Sequence, residues 1–95
     1  MKTNVNKNVE KEVDKAPNSI KALVIENIKA LKEAQNLSDV KNVKPMEGTK
    51  KPFYRLTIGT YRLLLYYEKE TKTVTVHALT HRKDTYKKEN LPWRR

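Results

Sequence analysis

The sequence predicts an α+β fold in which an N-terminal helical hairpin lies on one face of a small antiparallel β-sheet. Three observations predict it. Apolar residues recur at helical spacing through the first 36 residues, broken once at Pro17. From residue 52 to residue 80 the spacing changes to the alternation of strands rich in aromatic and branched side chains. Between the two best strand runs stands Gly59-Thr60, a pair suited to a two-residue hairpin turn. A chain of 95 residues has room for a single two-layer core, so 1–95 reads as one domain.

The elements follow in order. In NVNKNVEKEVDK, residues 4–15, Val5, Val9 and Val13 stand four apart among charges, a narrow apolar stripe on a short helix. Pro17-Asn18-Ser19 interrupts the pattern, and proline is tolerated at a helix start, so a second helix begins there. Its apolar face holds Ile20, Leu23, Val24, Ile28 and Leu31 and runs out near Gln35-Asn36. The hairpin thus covers 1–36, with room before it for a short strand or none. Each helix has one apolar face, and both need a flat apolar surface to cover. Residues 37–51, LSDVKNVKPMEGTKK, show no period and contain Pro45 and Gly48, so they read as a loop. Antiparallel strands fill 52–80: Phe53 to Ile58, Tyr61 to Tyr67, a polar EKETKT connection, then VTVHALT at 74–80. Residues 81–95, HRKDTYKKENLPWRR, read as a basic tail, with Trp93 expected to pin it down rather than to stack a base.

Two arginines interrupt the hairpin. With Gly59-Thr60 as the turn, Ile58 pairs with Tyr61, Thr57 with Arg62, Leu56 with Leu63, Arg55 with Leu64 and Tyr54 with Leu65. Directly opposed residues share a face and successive residues alternate. One face therefore holds Tyr54, Leu56, Ile58, Tyr61, Leu63, Leu65 and Tyr67, the seat for the helices. The other holds Arg55, Thr57, Arg62, Leu64 and Tyr66. An arginine without a partner on the helix side would cost several kcal/mol, so both point away from the core. On an open face they read either as ordinary solvent-side residues or, with Leu64 and Tyr66 between them, as groups that hold a phosphate by charge and a base by stacking. The register of the third strand is left open by its long connection. Its end carries His81, Arg82, Lys83 and Tyr86 to the rim of the sheet, while His77 inside it reads as a packed or hydrogen-bonded histidine.

Composition narrows the function. The net charge is +10, and it is lopsided: residues 1–48 carry nine basic and seven acidic side chains, residues 49–95 twelve and four. Such a field attracts polyanions or acidic partners. There are no cysteines, which excludes disulfides and thiolate metal sites and suits a cytoplasmic setting. Two histidines are too few to anchor a zinc site without several carboxylates, so no metal or small-molecule cofactor is expected. No stretch is apolar enough for a membrane span or a signal peptide, and no membrane partner is expected.

FYRLTIGTYRLLL, followed about twenty residues later by HRKDTY, resembles the RelE/ParE superfamily of toxin–antitoxin toxins. NVEKEVDKAPNSI is similar to the first helix, proline break and second helix of that family, and the resemblance runs from about residue 5 to residue 88. It implies a sheet curled against a helical hairpin with a basic concave surface opposite. It also implies a toxin neutralised by a cognate antitoxin protein. RelE-like members cleave mRNA on the ribosome, without a metal, by attack of the 2′-hydroxyl on the adjacent phosphate. ParE-like members instead inhibit DNA gyrase, which is the alternative reading; a binding module without activity is a third.

By motif position, the resemblance puts Arg55 and Arg62 among the phosphate-contacting cations, Arg82 at the transition-state charge and Tyr86 where an aromatic orients or stacks the RNA. His81 is the candidate for proton transfer, because histidine ordinarily titrates near neutral pH. Arg62, Arg82, His81 and Tyr86 are thus the expected catalytic set, and Arg55, Lys83, Lys50, Lys51 and Tyr66 the expected RNA-binding set. Two features depart from the family. Thr57 stands where RelE-like enzymes often carry a second basic residue, and only MKTNV precedes the first helix.

Overall fold

The structure is a computed structural model, and it describes residues 1–87 and residue 91. The chain runs β1 (Lys2–Val5), α1 (Lys7–Asp14), α2 (Asn18–Glu33), a 3₁₀ turn (Leu37–Asp39), β2 (Val43–Pro45), β3 (Phe53–Ile58), β4 (Tyr61–Glu68) and β5 (Thr73–His81). The five strands form one sheet in the order β1-β5-β4-β3-β2. This is an α+β fold, with both helices on one side of the sheet. Trp93, with residues 88–90, 92, 94 and 95 of the tail, lies outside the described residues. Among the described residues no helix is long and apolar enough to cross a membrane.

Three expectations are corrected. Val5 belongs to a strand and not to the first helix: Lys2–Val5 pairs with Thr73–Val76 in parallel, so the sheet is mixed rather than antiparallel. A valine four residues before the next fits either pattern, and the half-open edge of β5 decides for the strand. The Asn6 N–H donates to the Val76 carbonyl at 3.0 Å before α1 begins. The loop expected over 37–51 contains the 3₁₀ turn and β2, which pairs antiparallel with β3 through Val43↔Leu56, Lys44↔Arg55 and Pro45↔Tyr54. Proline is tolerated there because β2 is an edge strand. Leu23, placed on the buried face of α2, is 40% exposed, while Ile20, Val24 and Leu31 are buried.

The hairpin register is the one the turn dictates. Ile58↔Tyr61, Thr57↔Arg62, Leu56↔Leu63, Arg55↔Leu64 and Tyr54↔Leu65 all pair as expected. Gly59 takes φ +57° and Thr60 keeps a negative φ, the pattern of a type II′ turn whose twist matches that of the strands. The helix-side core gathers Val9, Ile20, Val24, Leu31 and Leu37 over Leu56, Ile58, Leu63, Leu65, Val74, Val76 and Leu79. Burying each of the large side chains stabilises the fold by roughly 1.5–3 kcal/mol.

On β5 the pairing slips by one residue: Leu65 faces Val76, but Leu64 faces Ala78. His77 is the extra residue of this bulge. Its carbonyl accepts from Asn8 Nδ2 at 2.9 Å, its Nδ1 lies 3.2 Å from Asn6 Nδ2, and its ring packs against Phe53 and Tyr66. Two residues further on, Glu12 of α1 accepts the Leu79 N–H at 3.1 Å and Asn8 Nδ2 at 3.0 Å. Past the end of β1, side chains of α1 therefore close the edge that β5 would otherwise leave open. Glu12→Ala should destabilise the protein by about 1–2 kcal/mol in urea denaturation, and Glu12→Gln, which keeps an acceptor oxygen, by less than half as much.

Candidate functional site

The face of the sheet away from the helices divides in two. Toward one end, Met46, Phe53, Leu64, Ala78 and Leu91 form a second, small core with Tyr66 against it. Leu64 is fully buried there, and Tyr66 meets the Phe53 ring edge-on with centroids 5.0 Å apart. Toward the other end the lining is polar and basic. Strand pairing fixes which residues meet: Lys44 lies beside Arg55, and Thr57 beside Arg62, which in turn lies beside Thr80. These rows share a face, and the segment after β5 folds back across it.

Together they line a cavity of about 490 Å³ formed by Asn42, Lys44, Arg55, Thr57, Arg62, Arg82, Thr85 and Tyr86. Four of the eight are cations and none is acidic. A second hollow, about 400 Å³, lies off the helix-side face around Leu37, Tyr54 and Tyr67, and Lys69 is its one charged lining residue. Three of the cations of the first cavity, Arg55, Arg62 and Arg82, come from the basic second half of the chain, and Lys44 comes from the first.

Each cation there is held differently. Arg62 Nη1 donates to the Gly59 carbonyl at 2.9 Å and to the Tyr61 carbonyl at 2.8 Å, which folds the guanidinium against the hairpin turn. Arg55 Nη1 donates to the Tyr86 hydroxyl at 2.6 Å, with its guanidinium carbon 5.8 Å from the ring centroid. The same hydroxyl accepts the Glu47 backbone N–H at 3.1 Å. Tyr86 is thereby tied to β3 and to the β2–β3 loop, although its residue is 40% exposed. Arg82 is exposed, and its backbone N–H donates to the Thr60 carbonyl at 2.7 Å, which ties the start of this segment to the hairpin turn.

Of the residues singled out in the sequence, the structure brings Arg55, Arg62, Arg82 and Tyr86 to one cavity. It does not bring the others there. The bulge at His77 reverses the side on which later residues of β5 point, so Thr80 pairs with Arg62 and His81 with Tyr61. The His81 ring sits edge-on to Tyr61 at 5.3 Å, and its Nδ1 lies 3.3 Å from the Lys83 N–H. Tyr66 belongs to the second core. Lys50 and Lys51 are exposed in the β2–β3 loop, and Lys83 is exposed beyond β5; none of the three lines the cavity. Conversely, Asn42, Lys44 and Thr85 line it without having been singled out. Lys44 sits on a strand of three residues, too short to show an alternation, and Asn42 takes φ +66° just before it.

Asp84, beside the cavity, is paired with Lys87 at 2.8 Å. The hydrogen bond from Lys87 holds its carboxyl below the usual aspartate range. A carboxyl depressed in the folded state supports the fold above its unfolded pKa, and that support is lost as the pH falls through the lowered value. A carboxyl NMR titration should give Asp84 a midpoint below that of a free aspartate, and Lys87→Met should raise it back.

No family model matches the chain, and neither does any curated protein sequence. Solved structures do. The chain is similar to a chain of the RelB–RelE antitoxin–toxin complex of Methanococcus jannaschii, with 22% identity, a TM-score of 0.72, and coverage of 88% of this chain and 95% of that one. An archaeal RelE–RelB complex from Pyrococcus horikoshii gives 22% identity and a TM-score of 0.69 over 85% of this chain and 93% of that one. YafQ from E. coli gives 13% identity and a TM-score of 0.57 over 88% and 96%. The fold built here from pairing and burial is the RelE fold.

Proposed function

We propose that this protein is the toxin of a toxin–antitoxin pair and acts as a ribosome-dependent mRNA endonuclease. One observation carries the reading: Lys44, Arg55, Arg62 and Arg82 surround a single cavity with Tyr86 at its edge and no carboxylate among the described residues that line it. An acid-free cluster of fixed cations suits a substrate that gains negative charge as it reacts, such as a phosphodiester under attack. Guanidinium groups are always charged and present planar forks of donors that match phosphate oxygens. The likeness in fold to structures of RelB–RelE complexes supports the choice of a toxin whose partner is an antitoxin protein.

In the proposed reaction the 2′-oxygen of one nucleotide attacks the adjacent phosphorus. The bond from phosphorus to the 5′-oxygen breaks, leaving a 2′,3′-cyclic phosphate and a free 5′-hydroxyl. Arg62 and Arg82 stabilise the extra charge on the phosphate, and Arg55 and Lys44 hold the backbone on either side. The attacking hydroxyl loses a proton and the leaving oxygen gains one. Within the lining, Tyr86 and Lys44 are the groups with a proton to exchange. His81, whose ring packs on Tyr61, would have to swing across the end of β5 to serve. The Tyr86 ring, steadied by Arg55, offers a face on which a base can stack.

The test is translation in vitro with a defined message. Adding the protein should cut the message within codons only when ribosomes are present, leaving cyclic phosphate and 5′-hydroxyl ends. Intact message at protein excess over ribosomes would overturn the reading. DNA breaks that depend on gyrase, without RNA cleavage, would replace it with gyrase inhibition.

A further inference from the structure

We infer that Thr85, hydrogen-bonded to Thr80, is a positioning residue that aims Arg82 and Tyr86 at the cavity. The inference rests on the nuclease reading for its effect on rate, but not for its effect on structure. Of residues 82–87 only Thr85 is buried, at 2% exposure, and Thr80 beneath it is 7% exposed. These two are the buried polar side chains among the described residues. Their hydroxyl oxygens are 2.9 Å apart, and Thr85 Oγ1 lies 3.3 Å from the His81 carbonyl.

Each hydroxyl has one proton, and this limits the arrangement. If Thr85 donates to the His81 carbonyl, then Thr80 donates to Thr85, and both protons are used in one directed chain. Packing alone does not require this chain, because valine has nearly the shape of threonine. What the hydroxyls add is a fixed orientation for the segment at its middle. Arg82, three residues before Thr85, and Tyr86, the residue after it, then have little freedom in where they project. The other ties of the segment to the rest of the fold are backbone N–H groups and the tyrosine: the Arg82 N–H to the Thr60 carbonyl, the Lys83 N–H to His81 Nδ1 at 3.3 Å, the Asp84 N–H to the His81 carbonyl at 2.8 Å, and the Tyr86 hydroxyl to Arg55 and Glu47. Among them Thr85 gives the one buried side-chain anchor. Thr80 is available for this only because the bulge at His77 turns it to the cation face.

The experiment compares the wild type with Thr85→Ser, which keeps the hydroxyl, and with Thr80→Val/Thr85→Val, which removes both hydroxyls and leaves neither unpaired. Melting temperatures within about 5 °C of the wild type establish that the variants fold. Two readouts follow: amide hydrogen exchange at Arg82 and Lys87, and single-turnover cleavage of ribosome-bound message. The double valine variant should exchange these amides about tenfold faster and cleave at least about tenfold more slowly at saturating ribosomes, with half-saturation within about threefold. Thr85→Ser should stay within about threefold of the wild type in both. Wild-type exchange and rate in the double variant would overturn the inference, as would a Thr85→Ser variant just as impaired. If the wild type cleaves no message while the exchange pattern holds, the nuclease reading falls and the positioning role stands. If the wild type and the double variant cleave alike, the positioning role falls and the nuclease reading stands. A double variant that unfolds would itself overturn the inference, since the hydroxyls would then serve stability.

Discussion

Arg82→Ala should lower the single-turnover rate of the proposed message cleavage by about a hundredfold or more, and Arg62→Ala should do the same. The size follows from where charge appears. A phosphodiester carries one negative charge at rest and gains a second at the transition state, so a cation aimed at the phosphate gains most as the reaction proceeds. The two arginines should nevertheless differ in their side effects. Arg82 is exposed, and only its backbone N–H is tied to the hairpin turn, so its truncation should leave the melting temperature unchanged. Arg62 donates to the Gly59 and Tyr61 carbonyls, and its loss should lower stability by about 1 kcal/mol as well. Rates measured on ribosome-bound message, with thermal melts alongside, check both statements. Wild-type activity in either variant would remove that arginine from the chemistry.

The largest effect on stability is expected at Leu64. It is fully buried, yet it lies on the cation face and not toward the helices, in the small cluster with Met46, Phe53, Ala78 and Leu91. Leu64→Ala should cost about 2–5 kcal/mol, the range for a leucine truncated in a packed core. That is a large part of the 5–15 kcal/mol that holds a small domain together. Because Leu64 pairs with Arg55 across β3 and β4, the variant should also loosen the strand that carries this arginine. Urea denaturation gives the stability. A loss below about 1 kcal/mol would mean that the second cluster is not packed as a core.

The sequence was most legible where one local rule dominates. Glycine in a two-residue turn sets the hairpin register, and the register sorts every side chain of β3 and β4 between two faces. The turn alone therefore puts Arg55 and Arg62 on one face. Arg82 and Tyr86 were legible only by resemblance, since nothing local fixes how the segment after β5 folds back. Lys44 was hidden because β2 is three residues long and contains a proline. It becomes a strand only because β3 offers it an edge. Leu64 and Tyr66, read as residues of an open face, lie instead in a second core that is completed by Met46 and Leu91 from distant parts of the chain.

Length and charge asymmetry are properties of the sequence itself, and the two helices, apart from Val5 and Leu23, and the hairpin turn were determined by it as well, because each depends on residues within a few positions of one another. Tertiary structure decided the parallel pairing of β1, the strand that delivers Lys44, and the choice between His81 and Thr80 on the cation face. The last of these shows why. Along VTVHALTH, simple alternation would set His81 on the same side as Thr75, on the cation face. One extra residue at His77, held by Asn6 and Asn8 from the other end of the chain, reverses that parity and sends Thr80 there instead.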